Sequence, residues 1–269
     1  MPRVSEHVVA ERRRRLADLL GRERYLPVST VAEKLGVSEA TARRDLAVLD
    51  ESGRLTRTFG GAMANGPSRA TIGEYNQRFA SFADRAAHMA AEKRKIAKKV
   101  AGLIKPGMSI FLDAGTTVDA LALHLAELPD KKVKGVTVVT HSLAVADRLA
   151  SSEAIEVHLL GGQLLGRQMI VIGDVTRRGL YAHDIELAIL GAEALNHGGA
   201  FNSQADVAAL QRQASMRAKQ TVLMLDSSKL GETAPTRLMR PDEIDLLATD
   251  ASAASLRRYE TGIDEDRLL

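Results

Sequence analysis

Apolar positions first recur at helical spacing near the amino end. Val9, Leu16, Leu19 and Leu20 make one packing stripe within a helix expected over about Val8–Leu20. A short helix is expected from about Thr30 to Leu35. Gly36 supplies the left-handed backbone of a tight turn, and Ser38 caps a second helix. Along that helix Ala42, Leu46 and Leu49 fall at i, i+4 and i+7 and face the preceding helix. Tyr25–Val28 reads as a short extended link. Residues 54–58 then alternate as a strand does, and Gly60-Gly61 turns it back, which predicts a two-stranded wing. Residues 62–72 are small, polar and turn-rich and read as a linker.

From about Ala83 to Ile104 a long helix is expected, with Ile96, Val100 and Leu103 as its apolar stripe. Lys93, Arg94, Lys95, Lys98 and Lys99 are assigned to its wet side. Beyond it, strand-like runs at 108–112, 136–140, 155–160, 185–190, 221–225 and 246–249 are separated by helices at about 117–128, 143–150 and 204–219. Such alternation predicts a mostly parallel sheet covered on both faces. The fold class is therefore α/β, with a helix-turn-helix domain ahead of one built on a mostly parallel sheet. The boundaries fall at 1–62 for the first domain, 63–82 for the linker and 83–269 for the second domain.

Charge sharpens this division. The first 60 residues hold 12 Lys+Arg and 9 Asp+Glu; the whole chain of 269 holds 37 and 34, which leaves 25 and 25 beyond residue 60. All the excess positive charge lies with the first domain, and a polyanion is its simplest partner. There is no Cys, so disulfides and thiolate metal sites are excluded, and the seven His show no HxxxH or HExxH spacing. No metal or cofactor is expected. No apolar run reaches the ~18 residues a membrane helix needs, and MPRVSEHVVAERRRR lacks the apolar core of a signal peptide. A cytoplasmic protein without a membrane partner is expected.

The outward side of the second helix carries Ala40, Thr41, Arg44 and Ala47, with Arg43 on its flank. It is narrow and basic, suited to a major groove: arginine forks pair with guanine edges, and hydroxyls such as those of Ser38 and Thr41 hold phosphates. Arg54 and Arg57 on the wing either grip phosphate or enter the minor groove, or the hairpin merely completes the small core. The run Arg12–Arg15 is either a solvated face or a phosphate contact.

In parallel sheets ligands sit beyond the carboxyl ends of the strands. There the chain reads Asp113-Ala114-Gly115-Thr116-Thr117, opening a helix whose free amides and hydroxyls suit a phosphate, or form a plain cap. His141 follows the second strand, as a donor to a sugar hydroxyl or a satisfied loop histidine. Gly161, Gly162 and Arg167 follow the third, Glu193 the fourth and Lys229 the fifth, the last as a second phosphate ligand or a solvated lysine.

The TARRDL segment and GRLTRTFGGA, then EK..IA (Glu92, Lys93, Ile96, Ala97), DAGTT, the double glycine, Asp226-x-Ser228-Lys229 and Thr249-Asp250, resemble the DeoR family of bacterial transcriptional regulators over nearly the whole chain. The resemblance implies a ribose-phosphate-isomerase-like Rossmann fold and a phosphorylated sugar or related metabolite as effector. Two departures stand out: His141 where the family often has Asn, and GAEALNHGGAFN after Leu190. The expected function is a ligand-controlled repressor of a carbohydrate operon, acting on double-stranded operator DNA as a homodimer or homotetramer. The alternative is a sugar-phosphate isomerase with an appended DNA module, for which Glu193 and Asp184 are the candidate proton-transfer carboxylates.

Overall fold

The computed structural model describes residues 9, 11–16, 19, 25–51, 55–58, 61–64, 82–166 and 168–269. The chain forms two compact units, Met1–Phe79 and Ala80–Leu269.

In the first unit residues 11–16 are helical. Strand β1 (Tyr25–Pro27), helices α1 (Val28–Leu35) and α2 (Glu39–Glu51), and strands β2 (Leu55–Thr58) and β3 (Gly61–Ala64) follow. Gly36 has φ 63°. Its N–H donates to Glu33 O (3.1 Å) and that of Val37 to Ala32 O (3.0 Å), which satisfies the last carbonyls of α1. Ser38 Oγ accepts from the Thr41 amide at 3.3 Å and so caps α2. Leu16, Leu26, Val31, Ala42, Leu46, Leu49, Leu55 and Ala62 form the core. The wing is larger than expected. Tyr25–Pro27 pairs with β3, so the sheet has three strands in the order β1-β3-β2, all antiparallel. β3 runs to Ala64, past the expected domain boundary at 62, and residues 65–81, most of the expected linker, lie outside the described residues.

The second unit opens with α3 (Phe82–Ala87) and α4 (Ala90–Ala101). The single helix expected here is broken by a turn in which Met89 is left-handed, φ 54°. Then come β4 (Ser109–Leu112), α5 (Thr116–Ala126), one turn at Asp130–Val133, β5 (Val136–Thr140), α6 (Leu143–Leu149) and β6 (Ile155–Leu159). A hairpin, β7 (Gln163–Leu165) and β8 (Ile170–Ile172), leads to α7 (Asp174–Leu180) and β9 (Ile185–Gly191). The remainder is β10 (Ala194–Asn196), β11 (Gly199–Asn202), α8 (Ala205–Arg217), β12 (Ala218–Met224), β13 (Thr236–Met239), β14 (Leu246–Ala248) and α9 (Ala253–Arg258).

Six strands make one parallel sheet in the order β14-β12-β9-β4-β5-β6. Side chains alternate between its faces. Ile110, Leu112, Val138 and Ile189 enter one core, whereas Phe111, Val139, Ala188 and Leu190 enter the other. The chain moves outward from β4 to β6, then returns to place β9 on the other side of β4. The order therefore reverses between β4 and β9, the place where such sheets open a crevice at their carboxyl ends. The β7–β8 hairpin and the small antiparallel sheet β10-β11-β13, which includes NHGGAFN, were not anticipated.

Candidate DNA interface and effector site

On α2 the inward triad is buried, and Glu39, Ala40, Arg43 and Arg44 are exposed. Arg43 is tied to Glu39 by an i,i+4 ion pair of 2.9 Å. Ser38 Oγ and Thr41 Oγ1 share a hydrogen bond of 3.0 Å at the helix start. Arg57 lies on β2, and Arg54 lies outside the described residues.

The arginine run is neither uniformly solvated nor wholly available to phosphate. Asp45, 1% exposed, receives Arg12 Nε at 2.5 Å on one oxygen and Arg13 Nε at 2.9 Å on the other. Burial alone would raise the Asp45 carboxyl; the two guanidinium groups outweigh it and hold it below the usual carboxylate range. Arg12 and Arg13 thus fasten the first helix to the recognition helix. Arg14 pairs with Glu11 on the surface, and Arg15 is exposed.

In the second unit a buried polar network occupies the reversal between β4 and β9. Asp113, directly after β4, is 1% exposed. One of its oxygens meets His141 Nε2 at 2.9 Å; the other accepts from the Gly191 amide at 2.9 Å and from Gln211 Nε2. Gln211 Nε2 also donates to Gly191 O (2.8 Å), and its Oε1 accepts from Asn202 Nδ2 (2.5 Å). Asn202 Oδ1 in turn accepts from the Glu193 amide at 2.9 Å. The network ties the ends of β4, β5, β9 and β11 to α8.

Two of the residues expected at the strand ends are held by the protein's own groups. His141 is fully buried, stacks on Phe111 with ring centroids 6.1 Å apart, and its Nδ1 faces Val171 O at 3.0 Å. Both ring nitrogens therefore face oxygens. Every side-chain polar atom of His141 and Asp113 has a protein partner. Gly162 is also explained by the protein itself. A Cβ there would lie 2.1 Å from Thr176 Oγ1 and 2.6 Å from Ile172 O, at φ 152°. Gly161 is exposed, its carbonyl accepting from Thr176 Oγ1 at 2.8 Å. Arg167 lies outside the described residues.

A second group of polar side chains gathers as well. Gly115, φ 105°, has open space where a side chain would be, and it precedes the free amides of α5 at Thr116 and Thr117. Thr116 Oγ1 donates to Arg85 O at 3.3 Å. Lys93 is 4% exposed, not on a wet face, and its ammonium donates to Arg85 O (2.5 Å) and His88 O (2.6 Å). Burial lowers its affinity for a proton; the charge of Asp226 opposes that shift, and Lys229 and Arg85 add to it. Burial likewise lowers Arg85, and Glu193 opposes it. Lys93, Arg85 and Lys229 therefore share one electrostatic neighbourhood with Asp226 and Glu193. Asp226 is fully buried. Its Oδ1 accepts from the Ser228 amide (3.2 Å) and hydroxyl, while its Oδ2 has no partner among the described residues. Glu193 Oε1 accepts from Ser203 Oγ at 2.7 Å. Asp250 holds the Ser227 amide and hydroxyl, both at 2.7 Å, which accounts for the closing Thr-Asp pair.

Sequence reasoning missed Gln211, Asn202, Arg85, Lys93 and the free oxygen of Asp226. Two carried a signal. Lys93 stands three, four and seven residues before Ile96, Ala97 and Val100, on the apolar stripe itself, and Gln211 stands between Ala208 and Ala214 on the inner face of α8.

Comparison with known proteins gives the lineage. Residues 12–67 match the DeoR-like helix-turn-helix domain and residues 88–251 the DeoR C terminal sensor domain. The chain is 32% identical over 235 residues to the HTH-type transcriptional repressor GlcR of Bacillus subtilis, covering 87% of this chain and 86% of that one. It is 31% identical to the lactose phosphotransferase system repressor of Streptococcus mutans, covering 89% and 91%. The HTH-type transcriptional regulator UlaR of Salmonella arizonae is also 31% identical, covering 91% and 92%. With a sensor match over more than half its length and a helix-turn-helix match ahead of it, this chain belongs to the DeoR family of DNA-binding transcriptional regulators.

Proposed function

We propose that this regulator represses a carbohydrate-metabolism operon and that a phosphorylated sugar bound by the second unit controls it. One observation carries the effector assignment. The amino terminus of an eleven-residue helix, α5, and the buried Lys93 ammonium meet at one carbonyl, Arg85 O, and Lys93 feels the charges of Arg85, Lys229 and Asp226, whose Oδ2 has no partner among the described residues. Helix amides, Thr116, Thr117 and Lys229 suit a phosphate, whereas Asp226 and Glu193, as acceptors, suit sugar hydroxyls. A plain anion would use the first set and be repelled by the second. The names of the relatives, a lactose phosphotransferase system repressor among them, support a carbohydrate operon.

On the DNA side, Arg44 reads bases, and Ser38, Thr41, Arg43, Arg54 and Arg57 position the backbone. One recognition helix reads few base pairs, so the working form is a homodimer or homotetramer on repeated half-sites. The exposed Leu159, Leu164 and Val175, around the edge strand β6, offer an apolar surface for a second copy. No helix among the described residues is long and apolar enough to cross a membrane, and a cytoplasmic address follows from operator binding. Domain limits near residues 62 and 83 fit this division of labour.

An isomerase is not favoured. Its relatives are repressors, and Asp184 precedes β9, at the end of the sheet opposite the crevice. The test is binding of the full chain to duplex from its own promoter region, followed by fluorescence anisotropy, with and without pentose and hexose phosphates. Binding that responds to one of them is expected. No binding under any condition at low salt refutes the assignment.

A further inference from the structure

The segment 82–89 is the first described part of the second unit, and the covalent path from the DNA reader enters through it. Its attachment is unusual. α3 has no buried residue. The carbonyl of Arg85 receives two donors from elsewhere, the Lys93 ammonium at 2.5 Å and the Thr116 hydroxyl at 3.3 Å, while His88 O receives Lys93 at 2.6 Å. The strap is thus fastened by the first turn of α5 and by a lysine buried in α4, both at the crevice assigned to the effector.

We propose that Lys93 and Thr116 form a latch that reports effector occupancy to this strap, an inference that rests on the phosphate reading of the same crevice. A threonine hydroxyl has one proton to donate. When Thr116 turns to a phosphate at the start of α5, it must leave Arg85 O. The Lys93 ammonium has three donors and spends two on Arg85 O and His88 O, so its third can meet the same anion while both of those ties stand. The strap loses the Thr116 tie and keeps the two from Lys93. Lys93 is a positioning residue here: its removal releases the strap without an anion. The occupied and empty states differ in a specific set of hydrogen bonds, which is what a ligand needs in order to shift an equilibrium.

The experiment is amide hydrogen exchange across residues 82–89 of the full chain, with inorganic phosphate as the probe and sodium chloride of equal ionic strength as the control. In the wild type, phosphate should speed exchange there. Lys93→Met should speed it without phosphate by about tenfold or more, as expected for losing a charge-assisted hydrogen bond, and added phosphate should speed it further by releasing the remaining Thr116 tie. Lys93→Arg should restore much of the protection. Should Lys93→Met fail to fold, Thr116→Val, at a partly exposed helix start, tests the other tie to Arg85 O; it should loosen the strap more modestly and remove its response to phosphate. Unchanged protection in the folded variants overturns the latch. A wild-type strap that ignores phosphate, in a protein whose melting temperature phosphate does raise, overturns the coupling alone. A wild type that shows neither response, with variants that do loosen, overturns the phosphate reading and the coupling together, and leaves only the tie.

Discussion

Replacement of Asp45 tests how the reader holds its recognition helix. The Asp45 side chain is 2% exposed, and those of Arg12 and Arg13 are 18% and 28% exposed. Surface pairs contribute about 0–1 kcal/mol, whereas breaking a buried pair costs about 3–5 kcal/mol. Asp45→Ala leaves behind two arginines that still reach water, so the loss should sit between these, at about 2 kcal/mol. The reverse deletion is worse: Arg12→Ala with Arg13→Ala leaves a buried carboxylate without a cation, and about 3–4 kcal/mol should go. For a domain of this size, 2 kcal/mol lowers Tm by roughly 8–16 °C. The pH dependence has a definite sign. The folded carboxyl lies below its unfolded value, so its stabilisation is complete above about pH 4 and is lost as pH falls through the folded value. Wild type and Asp45→Asn should therefore converge in acid. Urea denaturation of the full chain, following the transition of the first unit, measures all of this. A loss under about 0.5 kcal/mol for Asp45→Ala, or an arginine double variant no worse than it, refutes the reasoning.

Three further outcomes are expected. Arg44→Ala should reduce discrimination between operator and scrambled duplex by about 1–3 kcal/mol in competitive binding, whereas Arg43→Ala should weaken binding to all sequences alike. Lys229→Ala should leave operator affinity unchanged and abolish its response to sugar phosphates, so a surviving response would move the phosphate elsewhere. Gly162→Ala should cost about 2–3 kcal/mol in thermal unfolding, because the new Cβ meets Thr176 Oγ1 and Ile172 O well inside contact distance.

Much of this was legible from spacing. The α2 triad, the Gly36 turn, the Ser38 cap and the six parallel strands each follow from local periodicity or turn chemistry, which the fold leaves intact. What escaped depended on contacts distant in sequence. Arg12 and Arg13 looked like free charges because Asp45 stands more than thirty residues away. For His141, following a strand left two readings open, a ligand or a satisfied loop histidine; only the fold brings Asp113 and Val171 O to its two nitrogens. Tyr25–Pro27 is too short to announce itself as a strand without its partner β3. The break at Met89 has no glycine or proline to mark it, and is held by Lys93 from the next helix.

The central claim is that one crevice reads an anion and hydroxyl groups together. Isothermal titration of the full chain with inorganic phosphate, free sugars and the corresponding sugar phosphates tests it directly. At least one sugar phosphate should bind more tightly than its free sugar and than phosphate, with Asp226→Asn reducing the gain from the sugar and Lys229→Ala the gain from the phosphate. A free sugar that binds as well as its phosphate, or phosphate that binds as well as every sugar phosphate, would contradict the account.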